Sequence, residues 1–426
     1  MSDLKYKNKI LDLSLLLNNA QKPIHILDAI KWGDEVEEFI IKNKFKEMPK
    51  IDYRDHPLKY NPQNKIQEFR EIRLKISKEL GTSDPIGAIL IRNCTQYEDV
   101  VRMLISRGKP DFYNYSKKLY GHPSEVMNDG KTKLSELAVY MNSIFNSLEV
   151  SQHGEAFEKN MTSEDIVLEL TKRLGQFFSG ENIKIKLSDG IVSDASAGSD
   201  YIKIKKGMMF SQKDLDIFEV HEGWVHLGTT LNGNNQPFAK WLSKGPPCST
   251  VTQEGLAVTM ELLNDSLFPS RAKRLNDRLI ACQMVEEGAN LLELIEFFRD
   301  MGQVDNHAIR NASRIFRGAS LEGGSPFTKD IAYLKGFVMI YNFMRTAIDE
   351  GKSDHIPFLF AGKATLEDVS VLHQYHKEGV VVLPKYLPPQ IQNMNGAAIL
   401  KVVSKLLSRI KIEEIMLDKP DFKKVA

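Results

Sequence analysis

The sequence lacks three features that would each point to a particular class of protein. Its three cysteines in 426 residues, Cys94, Cys248 and Cys282, are far apart and have neither ligand spacing nor a disulfide pattern. No apolar run approaches the roughly 20 residues of a membrane span, and no signal-peptide segment follows the N-terminus. A net charge of +1 gives no indication of nucleic-acid binding. The sequence therefore predicts a cytoplasmic protein with reduced thiols and no membrane or nucleic-acid partner.

What the chain does contain is the composition of a globular protein, with 42% hydrophobic and 27% charged residues. Its length exceeds one ordinary core, so we expect a helical N-terminal region over residues 1–160 and a second domain over residues 161–426. Apolar residues recur mainly at helical spacing. Short alternating or apolar runs predict strands at Ile183–Leu187, Tyr201–Ile204, Pro85–Ile91 and Val380–Leu383. The predicted fold class is α+β and predominantly helical.

One stretch, Phe218–His226, combines two histidines with an acid. His221 and His226 are five residues apart, and Glu222 directly follows the first. Imidazole is the commonest protein ligand for zinc, and an adjacent carboxylate is the base that a metal-activated water requires. On a regular helix the histidines would point about 140° apart, whereas a wide i→i+5 turn would bring them within roughly 50°. We predict a helix with a local bulge; the alternative is two unrelated histidines on a partly buried helix.

A catalytic zinc site needs a third protein ligand and one open position. Glu254 lies in the segment Thr252–Ala257, which opens a second apolar run. Its carboxylate could complete a His-His-Glu site if Gly255 and Ala257 allow the two helices to approach closely. The alternative is a simple contact between an acid and the dipole of a helix start.

The two motifs together resemble those of a known family. His-Glu-x-x-x-His followed by Thr-Gln-Glu-Gly-Leu-Ala is similar to the QEGLA-motif family, which includes bacterial flavohaemoglobin expression-modulating proteins and the related microtubule-associated tyrosine carboxypeptidases. Further matching stretches, within about residues 183–376, are Leu231–Gly233, Gln236–Pro237, Phe327–Asp330 and Tyr333–Gly336. The resemblance implies that His221, His226 and Glu254 hold one zinc ion and that Glu222 is the general base.

These residues predict a zinc-dependent peptidase in which residues 161–426 form a metallopeptidase-like core with a small β-sheet beside the metal-binding helix. The resemblance implies a carboxypeptidase that removes a C-terminal residue, with an aromatic residue as the candidate, from a peptide or protein. Two alternatives stay open. One is a non-catalytic, zinc-containing regulatory or binding protein; the other is a carboxylate-bridged di-iron protein, which would use Glu-x-x-His pairs that this stretch lacks.

A carboxypeptidase must also bind a terminal carboxylate, which guanidinium groups grip through two parallel hydrogen bonds. Arg310, Arg314 and Arg317 follow one another at helical spacing and are the first candidates. Tyr333 and Lys335 are the second, with the phenol for an oxyanion and the ammonium for the carboxylate. The alternative for the arginine row is a solvated charged helix face.

Overall fold

The computed structural model describes residues 2–127, 129–147, 157–399 and 402, and helices dominate it. The α-helices are α1 Ser2–Gln21, α2 Ile26–Ala29, α3 Asp34–Lys42, α4 Pro62–Leu80, α5 Pro85–Ile105, α6 Pro110–Tyr120, α7 Leu134–Ser147, α8 Ser163–Phe177, α9 Gln212–Ile217, α10 Gly228–Asn235, α11 Ser249–Leu263, α12 Pro269–Glu286, α13 Leu291–Asp300, α14 Asp305–Phe316, α15 Ala332–Asp349, α16 Val369–Lys377 and α17 Pro389–Gln392. A π-helix covers Phe218–Leu227, and 3₁₀ helices cover Tyr53–Asp55, Lys240–Ser243, Thr328–Ile331, Ser353–Phe360 and Leu366–Asp368.

Two small sheets accompany the helices. Their strands are β1 Met161–Thr162, β2 Lys184–Ser188, β3 Ala195–Ala197, β4 Tyr201–Lys205 and β5 Met209–Phe210. The larger sheet has the order β2-β4-β3, with β2 parallel and β3 antiparallel to β4, so that β3 is an edge strand. Strands β1 and β5 form an antiparallel pair. The α+β, predominantly helical class is confirmed.

Two of the predicted strands are wrong. The run Pro85–Ile91 forms the first turns of α5, because Asp84 accepts a hydrogen bond from the Gly87 N–H at 2.7 Å and proline suits the first helical position. The run Val380–Leu383 is irregular, and the N–H groups of Val380 and Val381 both bond the carbonyl of Tyr375 at the end of α16. A short apolar run cannot by itself distinguish a strand from a buried helix or turn.

A close helix crossing fixes the position of α11. A Cβ atom built on Gly255 would lie 2.1 Å from the backbone carbon of Gly336, so α11 and α15 touch through two glycines. The sequence predicted that Gly255 would bring α11 against the histidine helix; instead its missing side chain admits α15. Glu254 is therefore held by the backbone of a helix that is packed on α15.

The hydrophobic core contains side chains from both predicted regions. One buried cluster includes Leu90 and Val100 of α5 together with Ile202, Val220 and Leu256. Side chains from before and after residue 160 thus pack in one cluster. The division into two regions at this residue stays a prediction. Among the described residues, no helix combines the length and the apolar character needed to cross a membrane.

Candidate metal centre

A continuous helix carries both histidines, and its middle part is a π-helix. The Ser211 hydroxyl and the Asp214 carboxylate form a capping box that starts α9, which runs through the π-helix into α10. Because i→i+5 bonding widens the turn, residues five apart share one face. The rings of His221 and His226 lie 4.8 Å apart and meet at 86°. The predicted bulge is confirmed, and it extends over the whole motif.

Glu254 brings its carboxylate to the same point. Its Oε2 lies 3.4 Å from Nε2 of His221 and 3.6 Å from Nε2 of His226, and all three side chains are largely withdrawn from solvent. Within the described part of the chain, this buried oxygen has no hydrogen-bond partner. In a tetrahedral zinc site with bonds of about 2.0–2.1 Å, the ligand atoms stand about 3.4 Å apart. The donor types and spacing therefore fit a zinc ion, and we call these three residues the candidate metal centre.

Two buried lysines that the sequence analysis did not identify adjoin this centre. Lys329 donates from Nζ to Glu254 Oε1 at 3.0 Å, which leaves Oε2 as the oxygen facing the histidines. Lys363 donates to the backbone carbonyl of His226 at 2.7 Å. Burial opposes ionisation of Glu254, but the charge of Lys329 and the neighbouring imidazoles hold its pKa well below the usual range. The carboxylate is thus kept ionised, as a metal ligand must be.

A second carboxylate, also missed, supports His221 from behind. Glu261 Oε1 lies 2.6 Å from Nδ1 of His221, and Arg271 donates to both oxygens of Glu261 at 2.6 and 2.7 Å. Because the ionised carboxylate can only accept, Nδ1 donates to it, and Nε2 is the ring nitrogen that faces Glu254. Burial lowers the pKa of His221, but the two carboxylates outweigh it and raise this pKa to about 10. The signal for Glu261 was its position seven residues after Glu254, two turns along the same helix face.

Glu222 points to the sheet beside the π-helix. Its Oε2 accepts a hydrogen bond from the Ala197 N–H of edge strand β3 at 2.8 Å. Gly223 allows this helix to pack closely, because a Cβ atom there would lie 2.5 Å from a methyl carbon of Leu174 on α8. Glu222 is therefore fixed next to the histidines without being consumed in an ion pair among the described residues.

A cavity of about 350 Å³ adjoins the centre at His221, and its walls carry more basic than acidic side chains, although they include Asp194 and Asp214. We call it the polar cavity. Its walls include His221, Glu222, Tyr333, Arg271, Arg274, Arg278, Arg310 and Arg314. A neighbouring apolar cavity of about 280 Å³ is lined by side chains such as Met141, Val258 and Phe337. The two cavities share Phe268, Leu275 and Tyr333 as wall residues.

The predicted carboxylate-binding residues do not stay together. Arg310 and Arg314 line the polar cavity, but Arg314 already donates to both oxygens of Asp330 at 2.6 and 2.9 Å. Helix α14 ends at Phe316, and Arg317 leaves helical geometry with ψ 122°, so its side chain lines a different cavity. Lys335 forms an ion pair with Glu125 at 2.6 Å and is not among the wall residues of the polar cavity. Of the second pair, Tyr333 alone lines this cavity, and its ring lies 6.4 Å from that of His221.

A second group of potential ligands lies at the surface. Asp354, His355 and His373 also bring donor atoms within 4.8 Å of one another, and we call them the surface group. Neither group shows the Glu-x-x-His pairs of a di-iron site, and the candidate metal centre offers one carboxylate from the described residues.

The fold and this centre define a largely helical α+β protein in which two histidines and a glutamate that could hold a metal ion adjoin a basic cavity. The chain belongs to the microtubule-associated tyrosine carboxypeptidase family, whose sequence profile matches residues 37–408. The match confirms the predicted relation to these carboxypeptidases and extends well before residue 183, where the recognised motifs began. A search of curated proteins found no match. The relation to bacterial QEGLA-motif proteins stays a prediction.

Proposed function

We propose that the protein is a zinc-dependent carboxypeptidase whose metal ligands are His221, His226 and Glu254. The observation that carries this proposal is the buried Glu254 Oε2, which accepts no hydrogen bond from the described residues and stands at ligand-to-ligand distance from both imidazole nitrogens. A zinc ion at this position would act as a Lewis acid and lower the pKa of water to about 7. Three protein ligands leave one position open, which distinguishes a catalytic from a structural zinc site.

Glu222 is the general base in this proposal. The hydrogen bond from Ala197 fixes one carboxylate oxygen, and the side chain lines the polar cavity beside His221. In this position it takes the proton of the attacking water and then delivers it to the leaving amine. Tyr333 is the candidate to stabilise the oxyanion, because its ring lies beside His221 in the same cavity.

The two cavities support exopeptidase action on a C-terminal residue. A basic cavity attracts peptides that end in carboxylates, and the apolar cavity with which it shares wall residues could hold a large side chain. The family is described as removing tyrosine, and an aromatic terminal residue is accordingly our proposed substrate. Microtubule association is not part of the proposal.

The test is digestion of a peptide library that varies the C-terminal residue. The zinc-loaded protein is compared with its Glu222→Gln variant by mass spectrometry, with the metal content of both measured. We expect loss of a single C-terminal residue, slowed by about 1,000-fold in the variant at equal zinc content. Identical traces from both proteins would favour the non-catalytic, zinc-containing binding protein, and internal cleavage would contradict exopeptidase action.

A further inference from the structure

Some arginines of the polar cavity already form a hydrogen-bonded ion pair with a carboxylate of the protein, and others do not. Arg314 donates to both oxygens of Asp330, and Arg271 donates to both oxygens of Glu261. Each of these two guanidinium groups has therefore used the forked pair of N–H groups with which arginine grips a carboxylate. They maintain the architecture of the cavity and are not free to bind a ligand in the same way.

Arg278 lines the same cavity but makes no ion pair with any carboxylate in the described part of the chain. Asp330 is near enough to influence its charge, yet both of that carboxylate's oxygens are taken by Arg314. A partly buried guanidinium without a hydrogen-bonded carboxylate is costly to maintain. An anionic ligand in the cavity would remove that cost.

The position of Arg278 suits the end of a peptide whose last bond lies at the metal centre. Its guanidinium carbon lies 5.0 Å from the centre of the Tyr333 ring, and the centroid of the His221 ring lies 6.4 Å from the same point. Arg278 and a candidate ligand, His221, thus adjoin the same aromatic ring in the wall of the polar cavity. Leu275, one turn earlier on α12, belongs to the wall shared with the apolar cavity.

Arg310 is the strongest competitor for this role. It also lines the cavity, but its Nε donates to the carbonyl of Asn306 on its own helix at 2.9 Å. It also belongs to the rim formed with Met208 and Val304, where a second, open depression begins. Arg278 instead lies beside Tyr333, whose ring also adjoins His221.

We propose that Arg278 binds the free C-terminal carboxylate of the substrate, with the terminal side chain in the apolar cavity. The proposal rests on the proposed carboxypeptidase function and assigns the substrate class as peptides with an unblocked α-carboxylate. It replaces the row Arg310, Arg314 and Arg317, which helical spacing had suggested.

The experiment measures binding separately from turnover. Fluorescent peptides that end in tyrosine, as the free acid or as the C-terminal amide, are titrated into zinc-loaded Glu222→Gln protein. We expect a preference for the free acid of about 100-fold, because an unpaired buried charge is left with the amide. In Glu222→Gln/Arg278→Gln the preference should fall below about 3-fold. Arg278→Lys keeps the charge without the fork and should retain about 10-fold.

The exposed Arg345 of α15 supplies a matched control, and Arg345→Gln should leave the preference unchanged. Zinc content and melting temperature verify that each variant is folded. If Arg278→Gln does not fold, Arg278→Lys is used in its place to test the preference. The inference is overturned if Arg278→Gln keeps the preference, if Arg310→Gln loses it instead, or if Glu222→Gln protein shows none. Acid-selective binding without any hydrolysis by the parent protein would refute the proposed function and leave this inference standing.

Discussion

The candidate metal centre and the surface group both assemble two histidines and a carboxylate, but they use the carboxylate differently. In the surface group, Asp354 lies 3.0 Å from a ring nitrogen of each histidine, so that its oxygens are already satisfied. The two rings stack at 3.9 Å and 30°, whereas the rings of the candidate metal centre are nearly perpendicular. In the latter, the inward carboxylate oxygen has no hydrogen-bond partner among the described residues.

The surroundings of the two groups differ as well. The side chain of Asp354 is 66% exposed, so water screens and solvates its charge. Glu254 is 9% exposed, and lysine, a supporting carboxylate and an arginine surround the centre. The proximity of donor atoms therefore does not identify a metal site by itself. Unmet hydrogen-bonding capacity and a built outer shell are the better signs.

The largest expected difference between the two groups comes from removing their carboxylates. Glu254→Gln should abolish stoichiometric zinc binding and lower peptide hydrolysis by at least about 1,000-fold, since it replaces the anionic ligand with a neutral one. The matched Asp354→Asn variant should leave both properties within about twofold of the parent. Zinc analysis and kinetic assays measure both. Equal losses in the two variants would show that the comparison is wrong.

A smaller effect should follow from weakening the outer shell. Glu261→Gln removes the negative charge behind Nδ1 of His221 and leaves Arg271 unpaired, so zinc affinity should weaken by up to about 100-fold. Competition with a zinc chelator of known affinity measures the change. The surface group has no such second carboxylate in the described structure, and an unchanged affinity would show that Glu261 has no part in supporting the metal.

The smallest effect concerns acid stability and contrasts buried with exposed carboxylates. Burial raises the pKa of Asp330, but Arg314 and Arg278 outweigh it and lower this pKa to about 2. The unfolded chain would have a value near 3.9. The ionised carboxylate therefore stabilises the fold above about pH 4, and this stability, about 2 kcal/mol, is lost as the pH falls toward 2.

Urea unfolding between pH 2 and 5 measures this loss. Asp330→Asn should flatten the pH dependence by that amount, whereas Asp354→Asn should change it by no more than about 0.5 kcal/mol. The same slope in the parent and the Asp330→Asn protein would refute the assignment.

The sequence predicted which candidate ligands come together better than it predicted the contacts that support them. Two histidines five residues apart can share an ion on a π-helix but not on a regular α-helix. If His221 and His226 bind one ion, their spacing therefore predicts the π-helix. The place of Glu254 followed from its motif. Glu261 was missed although it lies two turns after Glu254 on the same helix face, and Lys329 was missed because a lysine 75 residues away carries no signal of contact without the fold.

The other contacts that the sequence did not reveal depend on packing in the same way. Arg310, Arg314 and Arg317 have helical spacing, but spacing does not reveal that the helix ends before the third or that Asp330 already holds the second. Gly255 was correctly taken as a close-contact position, although its partner proved to be Gly336. Tertiary packing decides which neighbour a small residue admits.

The most direct measurement of the central claim is an anomalous difference map from crystals of the zinc-loaded protein, recorded at the zinc absorption edge. We predict one strong peak within bonding distance of Nε2 of His221, Nε2 of His226 and Oε2 of Glu254. A peak at Asp354, His355 and His373 instead, or no peak between the π-helix and α11, would contradict the account.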